Sequence, residues 1–313
     1  MICEVAHTEQ GAADAEPLVL SNSLGTTSAM WDPQVAALAA RFRLIRYDTR
    51  GHGASPVPAG PYEIADLGAD VLALLDRLEL ERVSFCGLSI GGMTGMWLAA
   101  NAPERIGRLV VVCSSPHMPP AQAWVERAQT VRAAGSTEPI ADAVVSRWLT
   151  SAYAQAHPEV REWLRAMLVS SPAEGYASCC GAIERIDLRE ALPAIAAPTL
   201  VIGGEFDTAA PPDQHARVIA DRVPGARLEL VPGAHIASVE ASGPVTRLII
   251  KHLREQESHQ GPTRAMTPAC ASAARCWATS TSIARSHHRP RSPSRSRNSS
   301  PATHGVACGR AKG

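Results

Sequence analysis

The sequence predicts an α/β fold: a mostly parallel sheet flanked by helices, with a helical cap inserted between two late strands. Three observations carry this reading. Short apolar runs alternate with stretches of helical periodicity. Those runs end in loops rich in Gly, Asn and Asp. A block of about 75 residues, roughly 118–193, contains no β-rich run at all.

The strand candidates are six. Residues 18–21 (LVLS) come first and lead into NSLGTT. Residues 44–47 (LIRY) run into the turn-rich DTRGHGAS, whose glycines permit tight backbone paths. Residues 82–87 (RVSFCG), 109–113 (LVVVC), 199–202 (TLVI) and 227–231 (RLELV) follow. Helical spacing is clear over 66–80, where Leu67, Val71, Leu74, Leu75 and Leu78 share a face. Residues 90–101 read as a helix that ends near Pro103, and 245–253 as a closing helix. Within the cap, 124–134, 140–148 and 160–168 read as short amphipathic helices.

Composition bounds the rest. The 313 residues, 45% hydrophobic, suffice for one large domain, or for one domain plus an appendage. Acidic and basic residues balance at 30 each, but residues 255–313 hold nine Lys or Arg against two acidic residues. The body, 1–254, is therefore mildly acidic, which argues against nucleic-acid binding as its main role. The N-terminus lacks a basic segment followed by an apolar one, and no apolar run approaches the ~18 residues of a membrane span. No Cys/His cluster has zinc spacing, and Cys86 and Cys113 lie within apolar runs. The expectation is a cytoplasmic protein that uses no metal or organic cofactor. Its oligomeric state stays open.

The chemistry is signalled by Gly87-Leu88-Ser89-Ile90-Gly91, a G-x-S-x-G pentapeptide between a strand and a helix. Small flanking residues let the chain bend so sharply that the Ser89 hydroxyl stands clear of the sheet edge. A hydroxyl needs a base, and the base needs an orienting acid. In this architecture they follow in the order Ser, acid, His. Asp207 lies just past the 199–202 strand in GGEFDTAAPP, with Glu205 as its rival, and His235 lies past the 227–231 strand in PGAHIAS. His52 and His117 precede the acid, and His215 is expected on a helix surface. The Ile90 amide, at a helix N-terminus, is one expected oxyanion donor. The second is expected from the loop after the first strand: Leu24, with Ser23 as runner-up.

Taken together, NSLGT, MWDPQ, DTRGHGAS, GLSIGG, GGEFDTAAPP and GAHIAS make residues 15–253 resemble α/β-hydrolases, and within them the 3-oxoadipate enol-lactonases of the β-ketoadipate pathway. The chain departs in having GAH where many relatives have GGH. The resemblance implies hydrolysis of a small-molecule lactone that bears a carboxylate arm, through an acyl-enzyme on Ser89; charge and hydropathy already speak against a nucleic-acid or membrane partner. The arm wants a cation, and Arg147, beside Trp148 in the cap, is the candidate; a solvated Arg147 and a packing Trp148 are the alternative. Trp31 reads as a packing residue and Arg50 as a tie between loops. The competing functions are a general carboxylesterase, a perhydrolase, a carbon–carbon bond hydrolase of aromatic breakdown, or a non-catalytic binding protein of the same fold.

The tail, 255–313, is rich in Ser, Arg, Ala, Pro and His and reads as disordered. Residues 270–285 and 297–304, back-translated and read from the third base of each codon, permit strings similar to 4-carboxymuconolactone decarboxylase. This suggests a fusion whose second part is out of frame. A basic tail that binds nucleic acid or a partner is the competing reading.

Overall fold

The computed structural model describes residues 2–255. The readings made for the tail lie outside these residues. Seven strands form one sheet: β1 (His7–Gln10), β2 (Pro17–Ser21), β3 (Arg43–Tyr47), β4 (Val83–Leu88), β5 (Ile106–Val112), β6 (Thr199–Gly204) and β7 (Arg227–Val231). Their order is β1-β3-β2-β4-β5-β6-β7. All neighbours pair in parallel except β1, which lies antiparallel on β3. The six expected strands are all present. The added one, β1, is the polar segment HTEQ at the sheet edge, where no apolar pattern is needed to place it.

The central strands are largely buried. Every residue of β4 (VSFCGL) and β6 (TLVIGG) is buried, as a parallel sheet covered on both faces requires. The cover comes from helices before and after the cap. On the amino-terminal side are α1 (Asp32–Ala39), α2 (Ile64–Arg77) and α3 (Ile90–Asn101). α2 buries Leu67, Val71, Leu74 and Leu75 and starts where the Glu63 amide donates to the Asp66 carboxylate at 2.9 Å. It stops short of the expected end because Glu79 turns into the left-handed region (φ 54°).

The cap runs through α4 (Ala121–Ala134), α5 (Glu138–Val145), α6 (Ser151–Ala156), α7 (Pro158–Val169) and α8 (Ala173–Arg185). Two of these, α6 and α8, were not expected. Most of α8 is buried although its sequence, AEGYASCCGAIER, is built largely from small residues. Small residues let its backbone touch another loop: a Cβ on Gly175 would stand 2.1 Å from the Gly51 carbonyl oxygen. The chain closes with α9 (Ala216–Arg222), α10 (Ala237–Glu240) and α11 (Ser242–Arg254). Among the described residues no helix is long and apolar enough to cross a membrane.

Two buried polar ties hold loops onto this frame. Arg50 donates to both carboxylate oxygens of Asp70 (2.5 and 2.6 Å), and the Cys3 amide donates to the same carboxylate at 2.6 Å. Arg50 is thus the tie expected from DTRGHG. At the other side His252 of α11 donates through Nε2 to the Pro198 carbonyl at 3.1 Å. Burial, with Arg108 and Arg227 close by, pushes its imidazole down to about 4. The native state therefore prefers neutral His252. Its contribution to stability is complete above the unfolded value near 6.5 and is lost as pH falls from there towards 4. Replacing His252 with Gln is expected to flatten the fall in unfolding free energy between pH 7 and 4 by up to about 3 kcal/mol, as read by urea titration at each pH.

Candidate active site

Because β2, β4, β6 and β7 run the same way, the loops that leave them open onto one edge of the sheet. The loop after β4 carries Ser89, in a left-handed conformation (φ 56°, ψ −118°). Such a conformation is costly for a side chain with a Cβ, and the surroundings impose it. The Ser89 amide donates to the Val112 carbonyl at 2.9 Å, and its carbonyl accepts from the Ser114 hydroxyl at 2.6 Å. The bend is possible only with glycine beside it. A Cβ on Gly87 would lie 2.1 Å from the Gly91 carbonyl oxygen, and one on Gly91 would lie 2.5 Å from that of Ser21.

The three expected triad residues meet. His235 Nε2 lies 3.0 Å from the Ser89 hydroxyl, and His235 Nδ1 lies 2.8 Å from Asp207 Oδ2. The other carboxylate oxygen accepts from the amides of Ala209 (2.8 Å) and Ala210 (2.9 Å). Burial alone would raise the Asp207 carboxyl; the facing His235 and the two amides outweigh it and hold the group below its ordinary value. An ionised Asp207 fixes the proton on Nδ1 and leaves Nε2 free to accept from Ser89. Glu205, the rival acid, is exposed.

His235 is gripped on both sides. The Ala234 amide donates to Glu240 at 2.9 Å, and the Ile236 amide donates to the Trp148 carbonyl at 2.9 Å. Glu240 also accepts from the Thr150 amide (3.1 Å) and the Thr150 hydroxyl. The base is thereby tied to the cap segment 148–150. Nothing in the sequence marked Glu240 for this.

The amides expected to serve as oxyanion donors, those of Ile90 and Leu24, are both left without a hydrogen-bond partner among the described residues. Ile90 is the first residue of α3, so its amide has no partner within the helix. The runner-up, Ser23, has its amide turned to the Met30 sulfur at 3.2 Å. The Ser23 carbonyl accepts from the Thr26 amide (3.2 Å) and hydroxyl (2.8 Å). In a trans peptide the N–H points away from the C=O, so these bonds turn the Leu24 N–H to the opposite side. Leu24 itself lines the cavity above Ser89.

That cavity, of about 190 Å³, is roofed by the cap. Arg147 and Trp148 both line it; Arg147 is half-buried rather than solvated, and Trp148 is buried. Burial and a second arginine, Arg127, push the Arg147 guanidinium below its ordinary value. Arg127 lies over the Trp124 ring, 4.6 Å from its centroid, and lines the same cavity. It was missed from the sequence, although Trp124 and Arg127 stand three apart on one helix, the spacing that brings side chains together. No Asp or Glu lines the cavity, and among the described residues neither arginine forms an ion pair. His215 corrects another expectation. It precedes α9 rather than lying within it, is half-buried, and bonds through Nδ1 to the Ser115 hydroxyl at 2.7 Å. Trp31 is fully buried, as a packing residue would be.

Replacing Gly91 with Ala is expected to break the bend after β4, because the atom in the way is backbone and cannot swing aside. Thermal unfolding and near-ultraviolet circular dichroism should show loss of several kcal/mol or of the folded state, on the order of the larger core disruptions. A variant with native stability would show that the bend has slack.

Comparison with known proteins agrees with the fold. A family model described as the alpha/beta hydrolase fold matches residues 16–242. The chain is 44% identical to 3-oxoadipate enol-lactonase 2 of Acinetobacter baylyi, over 74% of this chain and 85% of that one. It is similar to the crystal structure of the enol-lactonase from Burkholderia xenovorans (TM-score 0.79, 43% identity, 81% of this chain and 97% of that one). It is also similar to a thermophilic esterase from Thermogutta terrifontis, solved with malate bound (TM-score 0.76, 30% identity, 80% and 93%). The chain belongs to the alpha/beta hydrolase family.

Proposed function

We propose that this protein hydrolyses 3-oxoadipate enol-lactone to 3-oxoadipate, with Ser89 as nucleophile, His235 as general base and acid, and Asp207 as the acid that orients it. The observation that carries the substrate assignment is the pair of arginines, Arg127 and Arg147, in a cavity without a carboxylate. Two guanidiniums left without anionic partners in a half-buried pocket suit a ligand that brings its own negative charge. The lactone has a ring carbonyl to be attacked and a carboxylate arm to be held. The enol-lactonases similar to this chain support the same choice.

The steps follow from the contacts. Ser89 Oγ attacks the lactone carbonyl while its proton passes to His235 Nε2, and the charge on the carbonyl oxygen is taken by the Ile90 and Leu24 amides. Collapse of the tetrahedral species breaks the ring C–O bond. The leaving oxygen is an enolate, protonated by His235 and tautomerising to the ketone. Water, deprotonated by His235, then attacks the acyl-enzyme, and Ser89 leaves with the proton that His235 returns. The five buried cysteines of the body, all free thiols, fit the reducing cytoplasm as the site of action.

The test is loss of ultraviolet absorbance of the enol-lactone with purified protein. Wild type is expected to turn over and Ser89→Ala to be inert. Arg127→Ala is expected to lower kcat/KM for the lactone by about 10- to 100-fold, with little change for p-nitrophenyl acetate, which has no carboxylate. Ser89-dependent hydrolysis of p-nitrophenyl acetate without turnover of the lactone would instead favour a general esterase.

A further inference from the structure

His52 lies outside the triad, yet it touches the loop that supplies an oxyanion donor. It sits in the turn after β3, is 1% exposed, and faces the Tyr176 ring of α8 at 6.5 Å between centroids. Its Nε2 accepts from the Gly25 amide at 3.0 Å. The Nδ1 atom lies 3.3 Å from the Arg50 carbonyl. An amide can only donate, so Nε2 carries no proton and Nδ1 carries the one that points at Arg50. Burial lowers the imidazole pKa and keeps the ring neutral. Arg50 is in turn locked to Asp70. A rigid chain of contacts thus runs from the buried ion pair, through His52, to Gly25.

Gly25 follows Leu24 directly. Its backbone is in the left-handed region (φ +78°), and a Cβ there would stand 2.4 Å from Leu168 Cδ1 of the cap. The Ser23–Leu24 peptide, which carries the oxyanion-facing N–H, is held at its carbonyl by Thr26. The next peptide is held at its N–H by His52. With both neighbouring points fixed, the Leu24 amide has little freedom to rotate. Without His52 one of the two points is gone.

We propose that His52 is a positioning residue for hydrolysis: by accepting the Gly25 amide it holds the Leu24 N–H on the oxyanion. The inference rests on the hydrolytic reading above, though not on the identity of the lactone. An oxyanion donor acts on the transition state more than on the bound ester. Loss of the His52 contact should therefore lower kcat and leave KM nearly alone.

The experiment is steady-state hydrolysis of p-nitrophenyl acetate by the full chain, comparing wild type, Ser89→Ala, His52→Gln and His52→Asn. The Gln side chain is long enough to put its carbonyl oxygen near the place of Nε2; Asn is one methylene too short. His52→Asn is expected to lose about 10- to 100-fold in kcat with KM within about twofold, and His52→Gln to recover most of that loss. Equal activity of His52→Asn and wild type, an equal loss in both variants, or a rise in KM that matches the loss would overturn the inference. If wild type and Ser89→Ala hydrolyse the ester at the same rate, the hydrolytic reading fails and takes this one with it. Nitrogen-15 NMR of histidine in the wild type gives a check independent of any variant's folding. The Nδ1–H tautomer is expected for His52 at pH 7, and an Nε2–H tautomer, which could not accept from Gly25, would contradict the proposal.

Discussion

Parallel pairing is the constraint on which the rest of this molecule depends. Ser89, Asp207, His235 and Leu24 are separated by up to 211 positions in the sequence, yet each follows the carboxyl end of a strand that runs in the same direction. Once the strands are in register, the four loops have nowhere else to go. The core supplies the register: β4 and β6 are buried throughout, and a slip of one residue would turn every side chain of a strand to the other face. The geometry of the site is in this sense a by-product of packing, refined by a small number of polar contacts.

Those contacts share a feature. Each of the candidate site groups is held at two points by neighbouring residues. Ser89 is held by Val112 and Ser114, Asp207 by two amides, and His235 by Glu240 and the Trp148 carbonyl. The Leu24 amide is set by Thr26 and His52 acting on the neighbouring peptide groups. Preorganisation of this kind removes the cost of turning dipoles at the moment charge develops. It also couples the cap to the chemistry. The segment that bears Arg147 is the one whose carbonyl and amide, at Trp148 and Thr150, fix the His235 loop directly and through Glu240.

Much of this was legible in the residues. The pentapeptide around Ser89, and the positions of Asp207 and His235 after apolar runs, pointed to three side chains that the fold brings within hydrogen-bond distance, because strand ends are written as apolar runs followed by turn chemistry. Strand β1 escaped because an edge strand on a buried neighbour needs no apolar face, and HTEQ has none. Helix α8 escaped because its burial comes from small residues, which carry little periodicity. Arg127 and His52 were hidden for a different reason. Each is an ordinary residue in its local segment, and its importance comes from what tertiary packing sets against it: a second arginine in one case, the Gly25 amide in the other. His215 looked like a surface residue for the same reason, since its Ser115 partner is 100 positions away.

Covalent labelling with diisopropyl fluorophosphate, followed by peptide mass mapping, tests whether this sheet edge makes Ser89, and no other hydroxyl, nucleophilic. A single adduct is expected, on Ser89, forming at neutral pH and abolished when Asp207 is replaced by Ala or His235 by Ala. Ser114 and Ser115 line the same cavity and serve as internal controls. An adduct on either of them at a comparable rate, or labelling of Ser89 that survives loss of His235, would contradict that expectation.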